Sequence, residues 1–167
     1  SAPKVLPMVA QGPVSGVGDP HLTNMYGQRF DLYRTGVSVL LQIPGGAFVG
    51  PRRTLLRLEA DVRRIGSVCS DVYFQVVTIS GPWTNRSSSI TLFAKESEGK
   101  PNSMKWRRFG KVDLKVAHGR TREGVDYLNV FAKNLGRAGC PVGGLLGGDD
   151  WTQAAQRPSG CGRALSL

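Results

Sequence analysis

Alternation of apolar and charged residues between Thr54 and Arg64 constrains the fold of this chain more than any other feature. A β-strand places successive side chains on opposite faces, so a period of two predicts a strand with one face in the core. The residues of the apolar face are Leu56, Leu58, Ala60 and Val62. The residues of the opposite face are Arg57, Glu59, Asp61 and Arg63. Because cations and carboxylates share that second face, we expect a solvated row of ion pairs there.

Further segments with strand composition follow, and glycine, proline and serine separate them. They are "DVYFQVVTIS", "SITLFAK", "KVDLKVAH" and "DYLNVFAK". The first is rich in β-branched and aromatic residues and should lie centrally in its sheet. Upstream, "RFDLYR" and "VSVLLQIP" meet at Thr35-Gly36, which predicts a tight hairpin. Near the end of the chain, "DDWTQAAQR" predicts a short helix or a turn.

Short strands joined by such turns predict an all-β fold, an antiparallel β-sandwich or a flattened barrel with an irregular C-terminal tail. The length of 167 residues fits one domain with a substantial core. We place an N-terminal extension at 1–15, the β-domain at 16–157 and the tail at 158–167. No apolar run reaches the roughly 18 residues that a membrane-spanning helix needs.

The chain is strongly basic, with 22 lysines and arginines against 12 aspartates and glutamates and a formal net charge of +10. A surplus of this size favours an acidic partner, and protein surfaces, anionic lipid headgroups and nucleic acids are the classes that fit. The residues predicted to form the interface are Lys105, Trp106, Arg107, Arg108, Phe109, Lys111, Arg52 and Arg53.

The stretch "KWRRFGK" interleaves aromatic rings with cations, and three interpretations of it remain open. Trp and Arg are enriched at protein-binding hot spots, which favours an interface anchor. The same cations would also protect a solvated edge strand from unwanted pairing. Rings among cations are equally the ingredients of single-strand nucleic-acid binding. Nucleic acid is the least favoured partner, because the start of the chain, Ser1-Ala2-Pro3, leads us to expect a secreted or lumenal protein.

The motif "GDPH", residues 18–21, precedes an aromatic-rich strand, and its histidine has two interpretations. Proline confines the residue before it to extended or turn conformations, so the motif predicts a rigid corner in which His21 packs or hydrogen-bonds locally. The alternative is a hydrolase in which His21 acts as a base with Asp19 or Asp31. Because the sequence carries no nucleophile motif such as G-x-S-x-G, we predict that the chain is not an enzyme.

Three cysteines, Cys69, Cys140 and Cys161, are too few for a disulfide-dense scaffold and lack the C-x-x-C spacing of zinc sites. Cys140 and Cys161 bracket the glycine-rich end of the chain. A bridge between them would close a loop of roughly 20 residues, worth about 3 kcal/mol in the chain-entropy account. We therefore predict that disulfide and expect Cys69 to be a buried, inert thiol.

Two motifs at opposite ends of the β-region resemble those of the von Willebrand factor type D domain. The opening motif is Gly18-Asp19-Pro20-His21, followed by Gly27 and the aromatic strand Phe30 to Tyr33. The closing motif is "GGLLGGDD", residues 143–150, which contains Gly143, Gly144 and Gly147. Both occur in the family's order, with all-β sequence between them.

The resemblance implies an extracellular-type β-sandwich that serves as a structural or adhesive module without catalysis. In many members an acidic loop near the end binds calcium, which would make Asp149 and Asp150 the ligands here. Their alternative role is to cap a following short helix. The sequence departs from the family at Tyr26, where an Asp would stand, and at Gly143 and Leu146, where cysteines would stand. We expect no other cofactor.

Shortened, cysteine-poor domains with a similar Gly-Leu-Leu-Gly ending are found in unicellular algae. This looser resemblance implies a lumenal or extracellular accessory subunit of a larger complex, including one docked on a photosynthetic membrane complex. The positive charge of the chain implies that the protein surface it docks on is acidic. The chain opens on Ser1-Ala2-Pro3 without an initiator methionine or a leader, so we expect that a targeting segment has been removed, with a truncated sequence as the alternative. The expected location is therefore secreted or an organelle lumen, with the thylakoid lumen as one option.

Overall fold

Two antiparallel sheets pack face to face in the computed structural model, which describes residues 12–46, 53–67, 69–95, 99 and 101–161. The strands are β1 (Val14–Val17), β2 (His21–Thr23), β3 (Arg29–Asp31), β4 (Gly36–Ile43), β5 (Leu56–Arg64), β6 (Val72–Ser80), β7 (Ile90–Phe93), β8 (Met104–Phe109), β9 (Val112–Arg120) and β10 (Asp126–Lys133). One sheet has six strands in the order β3-β2-β1-β10-β9-β8, and the other has four in the order β4-β5-β6-β7. The sheets do not close, so the architecture is the predicted sandwich rather than the flattened barrel.

Short 3-10 turns follow two of the strands, at Pro82–Thr84 after β6 and at Leu135–Arg137 after β10. Within the described ranges, no helix has the length and apolar character that crossing a membrane requires.

Strand β5 confirms the alternation predicted between Thr54 and Arg64. Its four apolar residues are fully buried: Leu56, Leu58, Ala60 and Val62. On the outer face, the guanidinium of Arg57 donates to Glu59 and to Gln42. Arg63 Nη2 lies 2.7 Å from an Asp61 carboxylate oxygen. The charges of this face are therefore balanced within the sheet.

The core lies between the two sheets and is built from their apolar faces. The inner-face residues of β9 and β10 are Val112, Leu114, Val116, Leu128, Val130 and Ala132, all buried. β6 lies between β5 and β7, in the central position that its composition predicts. The ring of Phe74 on β6 reaches β1, where a Cβ on Gly16 would lie only 2.8 Å from it. Close packing of the two sheets thus depends on a missing side chain at Gly16.

The hairpin predicted at Thr35-Gly36 is wrong, because the chain changes sheets there. β3 pairs with β2 in the six-stranded sheet, whereas β4 pairs with β5 in the other. Gly36 has φ +95°, a conformation that glycine tolerates, and it begins the second sheet. The composition indicated a change of direction at this point, but contacts far along the chain decide which strands pair.

The region of "DDWTQAAQR" forms consecutive turns, the second of the two predicted options. Trp151 stacks on Phe30 with ring centroids 4.5 Å apart. The carbonyl of Ala154 accepts hydrogen bonds from the N–H groups of Tyr33 and Arg34, at 2.8 and 3.2 Å. These contacts with β3 and the residues after it hold the segment in an irregular path.

The predicted disulfide between Cys140 and Cys161 is wrong. Cys161 is bonded to Cys69, with Cα atoms 5.4 Å apart, and Cys140 is a half-buried free thiol. The segment after Trp151 runs back beside β3 and carries Cys161 to the loop between β5 and β6. A short loop loses less entropy on closure, but only cysteines that the fold brings together can bond. Cys69 is therefore not the free thiol that the sequence led us to expect.

Candidate binding surface

The stretch "KWRRFGK" falls on and just after β8, the last strand of the six-stranded sheet, whose one neighbour among the described strands is β9. The register shifts between Met104 and Arg107, which marks a β-bulge. A bulge and charged side chains are both typical of a strand whose outer edge faces solvent. The predicted interface residues Lys105, Trp106 and Arg107 are exposed, and Trp106 retains 42% of its accessible surface.

Phe109 was predicted to lie in the interface, and this prediction is wrong, because only 1% of the residue is exposed. Beyond the bulge, the alternation of β8 turns this ring into the core beside Val112 of β9. Arg108 is exposed but engaged, since its Nε and Nη2 donate to the two carboxylate oxygens of Asp113, at 2.9 and 3.1 Å. Asp113 also accepts a hydrogen bond from Asn134. The Arg108 guanidinium holds the pKa of the Asp113 carboxyl below its usual value.

Lys111 and Arg53, two more of the predicted interface residues, are both exposed. The backbone N–H of Trp83 donates to the carbonyl of Leu55 at 3.0 Å. Its ring covers Gly110, where a Cβ would lie 2.2 Å away. Trp83 thus joins the β8–β9 turn to the segment that carries Arg53. The eighth predicted residue, Arg52, lies outside the described residues.

Two lysines that were not among the predicted interface residues extend the surface onto β9 and β10. Lys133 Nζ lies 4.1 Å from the centroid of the Trp106 ring, and Lys115 Nζ lies 5.5 Å from that of Phe131. Phe131 and Lys115 stand opposite each other in the β9–β10 register. The faces of aromatic rings attract cations electrostatically. The available signal was the alternation in "DYLNVFAK", which leaves Phe131 and Lys133 on the outer face.

We call this surface the basic edge, and it consists of Lys105, Trp106, Arg107, Lys111, Lys115 and Lys133. Among the described carboxylates, none forms an ion pair with these five cations. Asp113 is close enough to Lys133 for its pKa to be lowered by that charge, but Arg108 and Asn134 already bind its oxygens. The basic edge therefore keeps a positive charge around an exposed tryptophan, which favours an acidic partner.

His21, in the opening motif, is bonded on both of its ring nitrogens. Residues 18–20 form the predicted turn and lead into β2. His21 Nδ1 lies 2.5 Å from Asp31 Oδ1 across the β2–β3 pair, and Nε2 lies 2.9 Å from Asp19 Oδ1. The hydrogen bond with Asp31 raises the pKa of His21, against the opposing effect of partial burial. A general base needs a nitrogen free to accept a proton, so this geometry suits a corner clamp better than a hydrolase.

A cleft of about 160 Å³ lies beside this corner, and its lining includes Asp19, Asp31, Tyr33, Asp71 and Arg157. Burial, and then the charge of Asp19, raises the pKa of Asp71. The Arg157 guanidinium lies over the Tyr33 ring, 5.1 Å from its centroid. Arg64 also lines this cleft, so charges of both signs meet there, which distinguishes it from the basic edge.

The opening and closing motifs meet in the fold. The N–H of Met25 donates to the carbonyl of Leu146 at 2.9 Å, which joins the turn before Gly27 to the closing motif. Gly144 has φ +92°, and a Cβ there would lie 2.4 Å from the carbonyl oxygen of Leu40 on β4. The closing glycines therefore permit a close approach of the chain to β4, which is a structural role.

The remaining motif residues lie in the same two places. Gly18 and Gly27 occupy turns on either side of β2, and Pro20 is buried. Gly143 forms an isolated bridge with Gln42 of β4. A Cβ on Gly147 would lie 2.5 Å from the Gly143 carbonyl oxygen, so the turn that follows is too tight for a side chain.

Asp149 and Asp150, the predicted calcium ligands or helix caps, are exposed beyond the closing glycines. One carboxylate oxygen of Asp150 accepts both the N–H and the hydroxyl of Thr152, at 2.9 and 2.6 Å, which caps a turn instead of a helix. Calcium takes about six to eight oxygen ligands. The described part of the chain contains no group of three or more His, Cys, Asp or Glu side chains that could hold a metal ion. The donors present thus do not fit calcium, and we derive no function from it.

The sequence matches no protein-family model, and a search of curated proteins finds no similar chain. The resemblance to the von Willebrand factor type D domain therefore stays a prediction that depends on the opening and closing motifs.

Proposed function

We propose that this chain is a non-catalytic binding module, a basic accessory subunit that docks through the basic edge onto an acidic protein surface of a larger complex. The observation that carries the proposal is the exposed Trp106 among cations that lack a carboxylate partner within the described ranges. Solvated cations contribute little to the stability of a fold. A tryptophan flanked by them is typical of a binding hot spot.

Electrostatics support a partner that contacts the β8 side of the molecule. The formal charge of +10 attracts acidic surfaces at long range, and the local surplus directs the contact. On β5, by contrast, Arg57 and Arg63 are paired with carboxylates of the same face. That face offers a partner little net charge.

The state of the two histidines supports a function without catalysis. His21 has a carboxylate on each nitrogen, and His118 Nε2 lies 2.8 Å from Asp126. In the part of the chain that the structure describes, neither ring is hydrogen-bonded to a hydroxyl or thiol that it could activate. The hydrolase alternative would require His21 to release an aspartate first.

The proposed compartment is an oxidising one. The Cys69–Cys161 disulfide is compatible with a secreted or lumenal location. The finer parts of the proposal, the thylakoid lumen and a photosynthetic membrane complex as the partner, depend on the resemblance to small algal domains.

Binding to immobilised poly-L-glutamate, a probe for acidic protein surfaces, tests the docking function. We expect binding at low ionic strength and release as salt is added, because charges are screened over about 10 Å at 0.1 M. A variant with Lys105→Glu and Arg107→Glu should lose most of this binding. The matched control carries Arg63→Glu and Arg122→Glu, which change the net charge equally on exposed residues away from the basic edge. The control should retain binding.

Other outcomes of this experiment would contradict the proposal. Equal losses in the two variants would show that net charge alone determines binding. Tighter binding to phosphatidylglycerol vesicles or to a single-stranded oligonucleotide than to polyglutamate would favour a lipid or nucleic-acid partner. Hydrolysis of an ester probe that is lost in His21→Ala, with the fold intact, would favour the hydrolase.

A further inference from the structure

The outer edge of a sheet, with its unpaired N–H and C=O groups, is a place where another chain can add a strand. The strands that the structure describes leave four such edges, along β3, β8, β4 and β7. Within the described residues, three of these strands have hydrogen bonds to other segments at or just beyond the edge. β8 is the exception.

The edge of β4 is capped by the closing motif. Gln42 and Gly143 exchange two backbone hydrogen bonds, at 3.0 and 2.8 Å. The N–H groups of Leu145 and Leu146 donate to the carbonyls at positions 39 and 40, at 3.0 and 2.9 Å. The motif thus acts as a partial fifth strand and leaves little of this edge for another chain.

The edges of β3 and β7 are short. β3 has three residues, and Tyr33, just beyond its end, bonds to Ala154. β7 has four residues, and its Phe93 N–H donates to the carbonyl of Pro101 at 3.1 Å. Neither offers a run of free backbone groups comparable with that of β8.

β8 has six residues, and in the described part of the chain it has one neighbouring strand, β9. The N–H and C=O groups of a strand point alternately to its two sides, so roughly half of those of β8 point away from β9. No described strand pairs with them. The side chains along this open edge include Lys105, Trp106 and Arg107, all exposed.

Charge determines which chain can use this edge. A second copy that paired β8 with β8 would bring Lys105 and Arg107 of both chains together, and like charges on neighbouring strands repel. A strand with glutamate or aspartate would instead place carboxylates beside these cations. The charges that protect the edge from self-association therefore select an acidic strand.

We propose that the contact element of the partner is an extended acidic segment that adds to β8 as a seventh strand of the sheet. The inference rests on the proposed function, because it names the element by which the acidic partner binds the basic edge. Backbone hydrogen bonds supply the pairing, and the acidic side chains supply the selectivity. Trp106 provides an exposed apolar surface against which side chains of the added strand can pack.

Peptides that differ only in backbone methylation test this pairing. The parent peptide alternates glutamate and threonine, and two matched peptides carry N-methyl groups on either the odd or the even residues. All three have the same charge, but each methylated peptide lacks the N–H groups of one edge. A strand that adds to β8 uses one edge only. One methylated peptide should therefore bind like the parent, and the other more than about tenfold more weakly.

Hydrogen exchange along β8 is the second readout. The parent peptide should slow the exchange of alternate β8 amides, those that point away from β9, because they become hydrogen-bonded. The variant with Lys105→Glu and Arg107→Glu should show no such slowing.

The outcomes distinguish the two proposals. Salt-sensitive binding that requires Lys105 and Arg107 but is equal for both methylated peptides would overturn the added strand and leave the docking function intact. Absence of binding to both polyglutamate and the parent peptide would overturn both.

Discussion

At the β3 end of the six-stranded sheet, charged side chains bind one another, whereas along β8, at the other end, most cations have no carboxylate partner among the described residues. His21 joins Asp19 and Asp31 across the corner before β3. At the β8 end, Asp113 forms an ion pair with Arg108, and the ammonium of Lys133 lies over the exposed ring of Trp106.

The difference teaches that the number of charges in a segment does not identify a binding surface. Both ends are conspicuous in the sequence, one as "GDPH" and the other as "KWRRFGK". At the β3 end the charges stabilise a corner that the Cys69–Cys161 disulfide adjoins. At the β8 end, the described carboxylates leave most of the cations without an ion pair, so their positive charge is exposed to solvent.

Removal of the disulfide should have the largest effect on stability. Because the two cysteines are separated by 92 positions in the sequence, Cys69→Ser with Cys161→Ser should lower the free energy of unfolding by roughly 4–5 kcal/mol, since the unfolded chain gains entropy. Urea denaturation measures this change. Cys140→Ser, which leaves the bridge intact, is the control and should change stability by less than about 1 kcal/mol. Equal stability of the double variant and the native chain would show that noncovalent contacts alone hold the β3 end.

At the β8 end, substitution of the two aromatic residues of β8 should show which ring lies in the core and which lies on the surface. Phe109→Ala should cost about 3–5 kcal/mol of unfolding free energy, because a buried ring leaves a cavity. Trp106→Ala should cost less than about 1 kcal/mol, since it removes a half-exposed ring and its contact with Lys133. Denaturation of both variants checks the difference, and comparable losses would place Trp106 in the core instead of on the surface.

Neutralising one cation at each end of the six-stranded sheet should show which end contacts polyglutamate. Lys133→Gln should weaken binding to polyglutamate by severalfold, about 1 kcal/mol, because it removes a cation that Trp106 holds at the basic edge. Arg29→Gln removes an exposed charge from β3 and should leave the affinity almost unchanged. Titration of both variants at one ionic strength decides the point. An equal loss of affinity in Arg29→Gln would show that polyglutamate binding is not confined to the β8 end of the sheet.

The smallest effect should be the pH dependence that His21 gives to stability. Its pKa is raised from 6.5, chiefly by the hydrogen bond with Asp31, so the folded state binds the proton more tightly than the unfolded chain. The stabilisation is therefore complete below pH 6.5 and is lost as the pH rises through the raised pKa. His21→Gln should lower the unfolding free energy by less than about 1 kcal/mol below that pH and by less above it.

Denaturation of His21→Gln on both sides of pH 6.5 measures this difference. In an Asp31→Asn background the pH dependence should shrink, because the main cause of the shift is gone. A difference that grows with pH would mean that neutral His21 is the stabilising form.

The strands were predictable because their evidence is local. In β5, β9 and β10, apolar residues recur at every second position, and burial of one sheet face requires that spacing whatever the neighbouring strands are. The same alternation in "DYLNVFAK" identifies Lys133 as an outer-face residue, but it does not show that Lys133 meets Trp106. That contact requires β8 and β10 to flank β9, an order that only the folded sheet supplies.

Two wrong predictions also show that sequence patterns do not reveal contacts between distant segments. Phe109 looked like an exposed ring among cations, but it stands opposite the buried Val112 of β9 and shares its core-facing side. Cys161 looked nearest to Cys140 along the chain, but the packing of Trp151 on Phe30 directs the segment toward Cys69.

By itself, the sequence determined that this protein is an all-β structure, that β5 would carry balanced charge on its outer face, and that a surplus of positive charge would remain elsewhere. The tertiary structure alone decided which strands pair, which cysteines bond and which cations remain unpaired. The physical reason is distance: alternation and turn chemistry act between neighbours in the chain, whereas ion pairs, disulfides and sheet edges depend on residues that only folding brings together.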